Sequence, residues 1–359
     1  MPGDTASTGH KADRLILHIG HPKTGTTTLQ AALVAGRMQL AQQGIAQPDT
    51  VRTAGNAIML GHHLFGLAPF AINRQGWLNI SDRDALDLAA QQWRDLKAQV
   101  EAIRARQIVI SSEHFFQAFD AATFAHASQI LHSLAQAVVV VIYVRAPVSD
   151  MLSNLQESVK TPLNRVQRRD RDALQTIITA WAGAFPGAVQ IHAFDKQTLV
   201  NRDIKADFFG RYLPEADLPT LPDGDLNTSM SAEAMAILHD VKAGRLDRRF
   251  DVVSFYERVR RDDNRVVAPT HPAWQDGVAQ SINNWCAPDL IWLRDAHCIT
   301  FPGIDYDALN PGSYDSDHIL PARIEDVCLV DPARKARLWR RVRLKEALPK
   351  PLQRWAAKW

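Results

Sequence analysis

The run Val138–Val144 (VVVVIYV) constrains the fold of this chain more than any other segment. It consists almost entirely of β-branched residues, which favour strands, and it lacks the polar alternation of a half-exposed strand. Further short apolar runs lie at Arg14–Gly20, Gln107–Ser111 and Val189–Phe194. Strands that are covered on both faces are typical of a parallel sheet with helices on either side.

Segments with a helical pattern separate these apolar runs. From Ser81 to Ile103 the apolar residues recur in steps of four and three, and Ser81 with Asp84 forms a variant of the capping box. Further helices are predicted from Thr26 to about Gln43, at Asp120–Ala135, after Pro147 and at Ala173–Phe185. Strands that alternate with helices predict an α/β fold with a doubly wound parallel sheet flanked by helices.

The predicted domain covers residues 14–330 and follows a flexible N-terminus of residues 1–13. Residues 44–80 are rich in turn formers and are interpreted as an active-site flap. Beyond residue 215 the pattern is mostly helical, with helices predicted at Ser231–Lys242 and Trp274–Trp285. Residues 331–359 form a basic, tryptophan-containing tail. Two interpretations of this tail stay open, a helix packed by its tryptophans and an anchor at a membrane surface.

Composition and charge exclude several classes of protein. The 41 basic and 39 acidic residues leave a net charge of +2, so the overall charge does not favour nucleic acid. No apolar stretch is long enough to span a membrane, and no signal peptide is recognised. The three cysteines, Cys286, Cys298 and Cys328, lack zinc-ligand spacing and fit a reducing compartment. The sequence therefore predicts a cytoplasmic protein without a metal site.

The segment His21–Gln30 directly follows the first predicted strand and has the composition of an anion-binding loop. Its glycine allows the backbone to approach an anion closely, and the N–H groups of the next helix favour negative charge. Threonine hydroxyls and a lysine ammonium add further donors. The candidate binding residues are Lys23, Thr24, Gly25, Thr26, Thr27 and Thr28.

The loop differs from a Walker A motif although its glycines have the Walker A separation. The motif requires Lys-Ser/Thr after the second glycine, where this chain has Thr26-Thr27. The strand Val138–Val144, considered as the source of a Walker B carboxylate, is followed by Arg145. These differences disfavour a small-molecule or nucleotide kinase that uses Mg-ATP, which remains the main alternative. A non-catalytic nucleotide-binding protein is a second alternative.

Pro22–Thr27 resembles the 5′-phosphosulfate loop of the sulfotransferases that use 3′-phosphoadenosine 5′-phosphosulfate (PAPS), which reads Pro-Lys-(Ser/Thr)-Gly-Thr-Thr. The strand that ends at Arg145, with Ser153 eight residues later, is similar to the 3′-phosphate site of the same family. The resemblance implies a P-loop-like sulfotransferase fold with PAPS as donor and adenosine 3′,5′-bisphosphate (PAP) as product. It also implies that Lys23 contacts the 5′-phosphate and the bridging oxygen, while Thr24–Thr28 surround the phosphate.

Weaker similarities point to the bacterial branch of the family. They comprise Gln156 and Lys160, Asn227–Ser229, and the stretch from Trp292 to Pro302. Cytosolic animal members have a tryptophan that stacks on adenine at the position of Thr28, so this chain must hold the base differently. The resemblance leaves the acceptor open, as a hydroxyl or amine of a carbohydrate, a lipid or a small metabolite.

Sulfuryl transfer also needs a base that takes a proton from the acceptor. In the family this base, a histidine or a glutamate, follows the strand that corresponds to Gln107–Ser111, and Glu113 stands there in this chain. His114 is the second candidate, and His62 or His63 from residues 44–80 come third. His18, on the first strand, is predicted to be a core residue with satisfied ring nitrogens.

Overall fold

The structure is a computed structural model that describes residues 9–160, 170–217, 230–247, 252–266 and 271–347. The chain divides into two compact units. The first consists of residues 1–146, 173–224 and 292–303, and the second of residues 147–172, 225–291 and 304–359. Asn227–Ser229 and the tail beyond residue 347 lie outside the described residues.

The first unit contains a five-stranded sheet in which every pairing is parallel. Its strands are β1 (Ala12–His18), β2 (Ile45–Ala46), β3 (Gln107–Ser111), β4 (Ala135–Val144) and β5 (Val189–Ala193). They lie in the order β2-β3-β1-β4-β5. The α/β fold with a parallel sheet is confirmed, and β1 is its central strand.

The described helices, in chain order, are α1 (Thr26–Ala35), α2 (Arg37–Gln42), α3 (Ile58–Phe65), α4 (Ala71–Asn73), α5 (Asp82–Ala102), α6 (Ala121–Leu134), α7 (Pro147–Ser158), α8 (Ala173–Ala184), α9 (Ile204–Tyr212), α10 (Ala232–Lys242), α11 (Val252–Val266), α12 (Val278–Trp285), α13 (Ala287–His297), α14 (Ser316–Ile319) and α15 (Pro332–Ala347). The helix predicted from Thr26 to Gln43 is interrupted at Gly36. None of these helices is both long and apolar enough to cross a membrane.

Side-chain caps define where the predicted helices begin. The Ser81 hydroxyl accepts a hydrogen bond from the backbone N–H of Asp84 at the start of α5. Asp120 and Ser231 cap α6 and α10 in the same way. Because a cap satisfies backbone donors that the helix leaves open, these starts could be recognised from local sequence.

Helices cover both faces of the sheet. On one face, Ile16, Val109 and Val141 pack with residues of α1 and α9, including Leu33 and Phe208. On the other face, α6 contacts β1 and β4. An aromatic cluster lies beside α3, α6 and α8; it consists of Phe65, Phe70, Phe115, Phe119, Phe124 and Trp181. Because helices pack on both faces, the sheet is doubly wound.

Residues 44–80 are more ordered than the turn-rich sequence suggested. They contain the edge strand β2 and the apolar helix α3, which is buried and contacts α5 and α6. The backbone N–H of Ala57 donates to the carbonyl oxygen of Ser111 at 2.9 Å, and the Ser112 hydroxyl donates to Asn56 Oδ1 at 2.7 Å. The segment is therefore attached to the end of β3. Its action as an active-site flap stays a prediction.

The second unit is helical in its described part, as predicted for the C-terminal region. Its core includes Met235, Phe255, Val259 and Ile282. The described part of the basic tail belongs to this unit, because α15 contacts α10 and α11 and buries Leu338 and Val342. The predicted helix Trp274–Trp285 begins only at Val278, since Trp274 instead forms an isolated bridge with Cys328.

A buried ion cluster connects three helices of the second unit. Arg334 on α15 donates to Glu233 Oε2 and to Asp263 Oδ1, each at 2.7 Å, and to the Ser231 hydroxyl at 2.6 Å. All four residues are at most 4% exposed. The guanidinium therefore balances two carboxylates in a region that excludes water.

Candidate active site

The candidate site begins where β1 ends, at the carboxyl edge of the central strand. The register pairs His18 at the end of β1 with Ser111 of β3 and with Val141 of β4. The segment from Ile19 to Gly25 then leads into α1. The loop therefore follows the carboxyl end of the central strand. Ligands of open α/β sheets bind at this edge.

Two residues of the loop have left-handed backbone conformations. Lys23 has φ 64° and Gly25 has φ 75°. A Cβ atom on Gly25 would lie 3.0 Å from the Phe194 ring and 3.1 Å from Ile204, so glycine suits both the conformation and the close packing. Lys23 has the same left-handed conformation although it carries a Cβ atom, so its backbone is strained. Such strain is typical of functional loops.

Hydrogen bonds from two sides hold the strained loop. The Thr24 hydroxyl donates to the carbonyl oxygen of His21 at 2.6 Å. Arg145, directly after β4, donates through a guanidinium N–H to the carbonyl oxygen of Lys23 at 3.0 Å. The Arg145 guanidinium also lies 6.0 Å from the centre of the Phe194 ring. The structure therefore brings together Arg145 and the loop, which are distant in sequence.

The loop presents donors of several kinds. Lys23 and Thr27 are exposed, Thr28 is half-buried, and Thr24 and Thr26 are buried. Gly25, at the cap position of α1, has no side chain with which to occupy the first N–H groups of the helix. These N–H groups carry the positive end of the helix dipole. The arrangement suits a phosphate or sulfate group.

Two buried polar atoms lie close together beneath the loop. Thr26 Oγ1 and His18 Nε2 have no hydrogen-bond partner among the described residues. Each lies within 3 Å of the point where a Cβ atom would stand on Gly20, at 2.7 and 2.9 Å respectively. A side chain at position 20 would therefore collide with both, so this glycine is required by close approach.

The prediction that both ring nitrogens of His18 are satisfied is wrong. His18 is fully buried; among the described residues Nδ1 has a partner, the Ser111 hydroxyl at 2.9 Å, and Nε2 has none. Burial lowers the pKa of His18 to about 3, so the imidazole is neutral at physiological pH. The sequence placed His18 correctly in the core but gave no information on the neighbours of its ring.

Glu113 lies in the turn that follows β3 and is linked to α1. Its carboxylate oxygen Oε2 accepts a hydrogen bond from Gln30 Nε2 at 3.2 Å. The same Gln30 nitrogen lies 3.3 Å from the carbonyl oxygen of Ser111 and 3.4 Å from the Ser111 hydroxyl. The helix that begins at the loop therefore also contacts the predicted base.

Gln30 was not recognised as a functional candidate from the sequence. It is only 3% exposed although its side chain is polar, and it lies beside the apolar residues Leu29 and Leu33. A glutamine within the otherwise apolar segment 29–35 of α1 is a signal that could have been noticed. Its partner Glu113 could not be predicted from the sequence, because the two residues are 83 positions apart.

The three histidine candidates have different surroundings. His114, next to Glu113, is half-buried, and its Nδ1 lies 3.4 Å from Asn73 Nδ2. His62 Nδ1 lies 3.1 Å from the carbonyl oxygen of Ile58, and the His63 ring stacks on Trp93 at 5.1 Å. Burial lowers the pKa of all three histidines. The contacts of His62 and His63 favour a packing role.

Ser153, the predicted partner of Arg145, lies on α7 and belongs to the second unit. Its role in binding a 3′-phosphate stays a prediction. Arg145 belongs to the first unit, where it donates to the Lys23 carbonyl of the loop.

Comparison with known proteins gives a distant structural neighbour. No family model matches the chain, and no curated protein matches it. Among solved structures the chain is similar to the sulfotransferase domain from the curacin biosynthetic pathway, with 14% sequence identity and a TM-score of 0.24. The similarity covers 60% of this chain and 79% of that domain. A likeness of this size is too distant to assign an activity.

Proposed function

We propose that this protein is a PAPS-dependent sulfotransferase. The observation that carries the proposal is the loop at the end of β1, where Lys23 and Gly25 are left-handed and Arg145 donates to the Lys23 carbonyl. This geometry suits an anionic nucleotide donor, and the resemblance of Pro22–Thr27 to the phosphosulfate loop selects PAPS among such donors. PAPS, when bound, supplies the sulfuryl group and leaves as PAP.

The residues of the loop have distinct roles in the proposal. The N–H groups at the start of α1 and the hydroxyls of Thr27 and Thr28 bind the 5′-phosphate. Lys23, which is exposed, neutralises charge on the leaving phosphate. Arg145 binds the 3′-phosphate, and the same role for Ser153 stays a prediction from the sequence. Such positioning and charge stabilisation account for most catalysis in transfers of this kind.

Glu113 is proposed as the base that accepts the proton of the acceptor. It follows β3, the neighbour of β1, and it is half-buried and held by Gln30 on the loop's own helix. The acceptor class is a hydroxyl or amine of a carbohydrate, a lipid or a small metabolite. The cytoplasmic location expected from the sequence, and tail association with a membrane surface, stay predictions.

Nucleotide binding tests the proposal directly. In the presence of a chelator, PAP should raise the melting temperature of the protein, because a ligand that binds only the folded state stabilises it. ATP with Mg²⁺ should stabilise the protein less. Differential scanning fluorimetry with both nucleotides measures this, and equal or greater stabilisation by Mg-ATP would contradict the proposed donor.

One observation keeps the kinase alternative in view. The sequence disfavours a kinase because no carboxylate follows β4 directly. However, β3 is also a neighbour of β1, and a carboxylate for Mg²⁺ could follow that strand instead. Glu113 lies just after β3 and could serve as such a carboxylate. In that case stabilisation by ATP would require Mg²⁺ and would be lost in Glu113→Gln, whereas PAP would have little effect.

Arg145→Ala tests the 3′-phosphate site. The variant should lose affinity for PAP by about 1.5–3 kcal/mol more than for adenosine 5′-phosphosulfate, which lacks a 3′-phosphate. Arg145 also holds the loop through the Lys23 carbonyl, so a part of the loss will be common to both ligands. Isothermal titration calorimetry with the two ligands separates the contributions. Equal losses would mean that Arg145 acts only on the loop.

A further inference from the structure

The Gln30 amide is placed so that its nitrogen, and not its oxygen, faces Glu113. The nitrogen lies 3.3 Å from the Ser111 carbonyl oxygen and 3.2 Å from Glu113 Oε2. A carbonyl and an ionised carboxylate can only accept hydrogen bonds, so both require a donor at this point. The two acceptors therefore determine the orientation of the amide. The Gln30 side chain binds both the last residue of β3 and the turn that follows this strand.

Close packing fixes the position of Gln30. The side chain is 3% exposed. Gly55, with φ 94°, approaches so closely that a Cβ atom there would lie 2.7 Å from the Cβ of Gln30. The Ser111 carbonyl also accepts from the N–H of Ala57, which completes its two hydrogen bonds. Gly55 thus packs against the Cβ and backbone of Gln30, and the amide is bound at the Ser111 carbonyl.

Gln30 also has a fixed relation to the loop. It is four residues after Thr26 on α1, about 6 Å along the helix axis, and on the same helix face. The same rigid helix thus carries both groups. The N–H groups proposed to bind PAPS lie at its start, and the Gln30 amide that donates a hydrogen bond to Glu113 lies one turn later.

We propose that Gln30 is a positioning residue that orients the carboxylate of Glu113 and ties it to the helix that binds the donor. This inference rests on the proposed function. Gln30 acts through Glu113 and does not itself contact the reacting atoms. Its N–H group holds Glu113 Oε2 at a constant distance from the loop, and it stabilises the ionised carboxylate that can accept a proton.

Gln30→Met tests the inference, because methionine has a similar size but no donor. With PAPS and water as substrates, which yield PAP, sulfate and two protons when the products are fully ionised, kcat should fall about 10- to 100-fold. KM for PAPS and the affinity for PAP should be unchanged. A crystal structure of the variant should show the carboxylate displaced from residue 30.

Gln47→Met is the matched control. Gln47 is 4% exposed and donates through Nε2 to the Leu33 carbonyl of α1 at 2.7 Å, so it too is a buried amide bound to a backbone carbonyl. It has no described contact with Glu113. The control should lose a similar amount of stability and keep the wild-type kcat.

A double-mutant cycle with Glu113→Gln separates the outcomes. In the Glu113→Gln background, Gln30→Met should cause no further loss of kcat, because the group through which it acts is already altered. A full further loss, or a normal kcat in Gln30→Met alone, would overturn the inference while leaving the proposed function intact. If the wild-type protein neither binds PAP nor cleaves PAPS, the proposed function fails, and the inference fails with it.

Discussion

Replacing Glu113 with glutamine should lower the rate of sulfuryl transfer by about 10²- to 10⁴-fold, the usual contribution of a positioned base. Glutamine preserves the size of the side chain but cannot accept a proton at this position. The affinity for PAP should change little, because Glu113 is proposed to contact the acceptor and not the phosphates. The measurement is PAP release from PAPS, with water as acceptor until the natural acceptor is known.

Three histidine variants serve as comparisons for Glu113→Gln. His114→Ala should reduce the rate less, although burial lowers the pKa of His114 and keeps the ring neutral and able to accept a proton. His62→Ala and His63→Ala should act through packing, because these rings contact Phe70 and Trp93. Full activity in Glu113→Gln, together with loss of activity in one of the histidine variants, would assign the base to that histidine.

Replacing Arg334 with methionine should destabilise the second unit by about 3–5 kcal/mol. The guanidinium lies between Glu233 and Asp263, which are 4% and 3% exposed. Its removal leaves two carboxylates buried without their cation, which costs more than the hydrogen bonds themselves. Urea unfolding followed by far-ultraviolet circular dichroism measures the change.

Two further variants show whether charge is the cause of this loss. Arg337→Met, on the same helix but exposed, should change the free energy of unfolding by less than about 0.5 kcal/mol. Glu233→Gln and Asp263→Asn, introduced together into Arg334→Met, should recover part of the lost stability because the two side chains that the guanidinium balanced are then neutral. If the triple variant is less stable than Arg334→Met, lost hydrogen bonds and not unpaired charge dominate.

The local features of this protein could be derived from its sequence. The β-branched run Val138–Val144 is a fully buried part of β4 apart from the half-buried Val139, and Gln107–Ser111 has the same bounds in the structure as in the prediction. The caps at Ser81, Asp120 and Ser231 begin helices as expected. These features depend on hydrogen bonds and steric limits within a few residues, so nearby sequence is sufficient to determine them.

Helix α3, within residues 44–80, was not predicted from the sequence, and the reason is physical. The glycines and prolines of residues 44–80 separate very short elements, and a helix of eight residues such as α3 is too short to show a clear periodicity. Tertiary packing against α5 and α6 stabilises this helix, as is common for short helices.

Only the tertiary structure decided which distant residues meet at the candidate site. The pairing of His18 with Ser111, 93 residues apart, brings β3 beside β1 and thereby brings Glu113 to Gln30. Sequence periodicity states which face of an element is buried but not which element covers it, because strand order depends on the packing of the whole sheet. The loop at residues 20–26 could be recognised from the sequence. The contact of the Gln30 amide with Glu113 depends on the pairing of β1 with β3, which the tertiary structure determines.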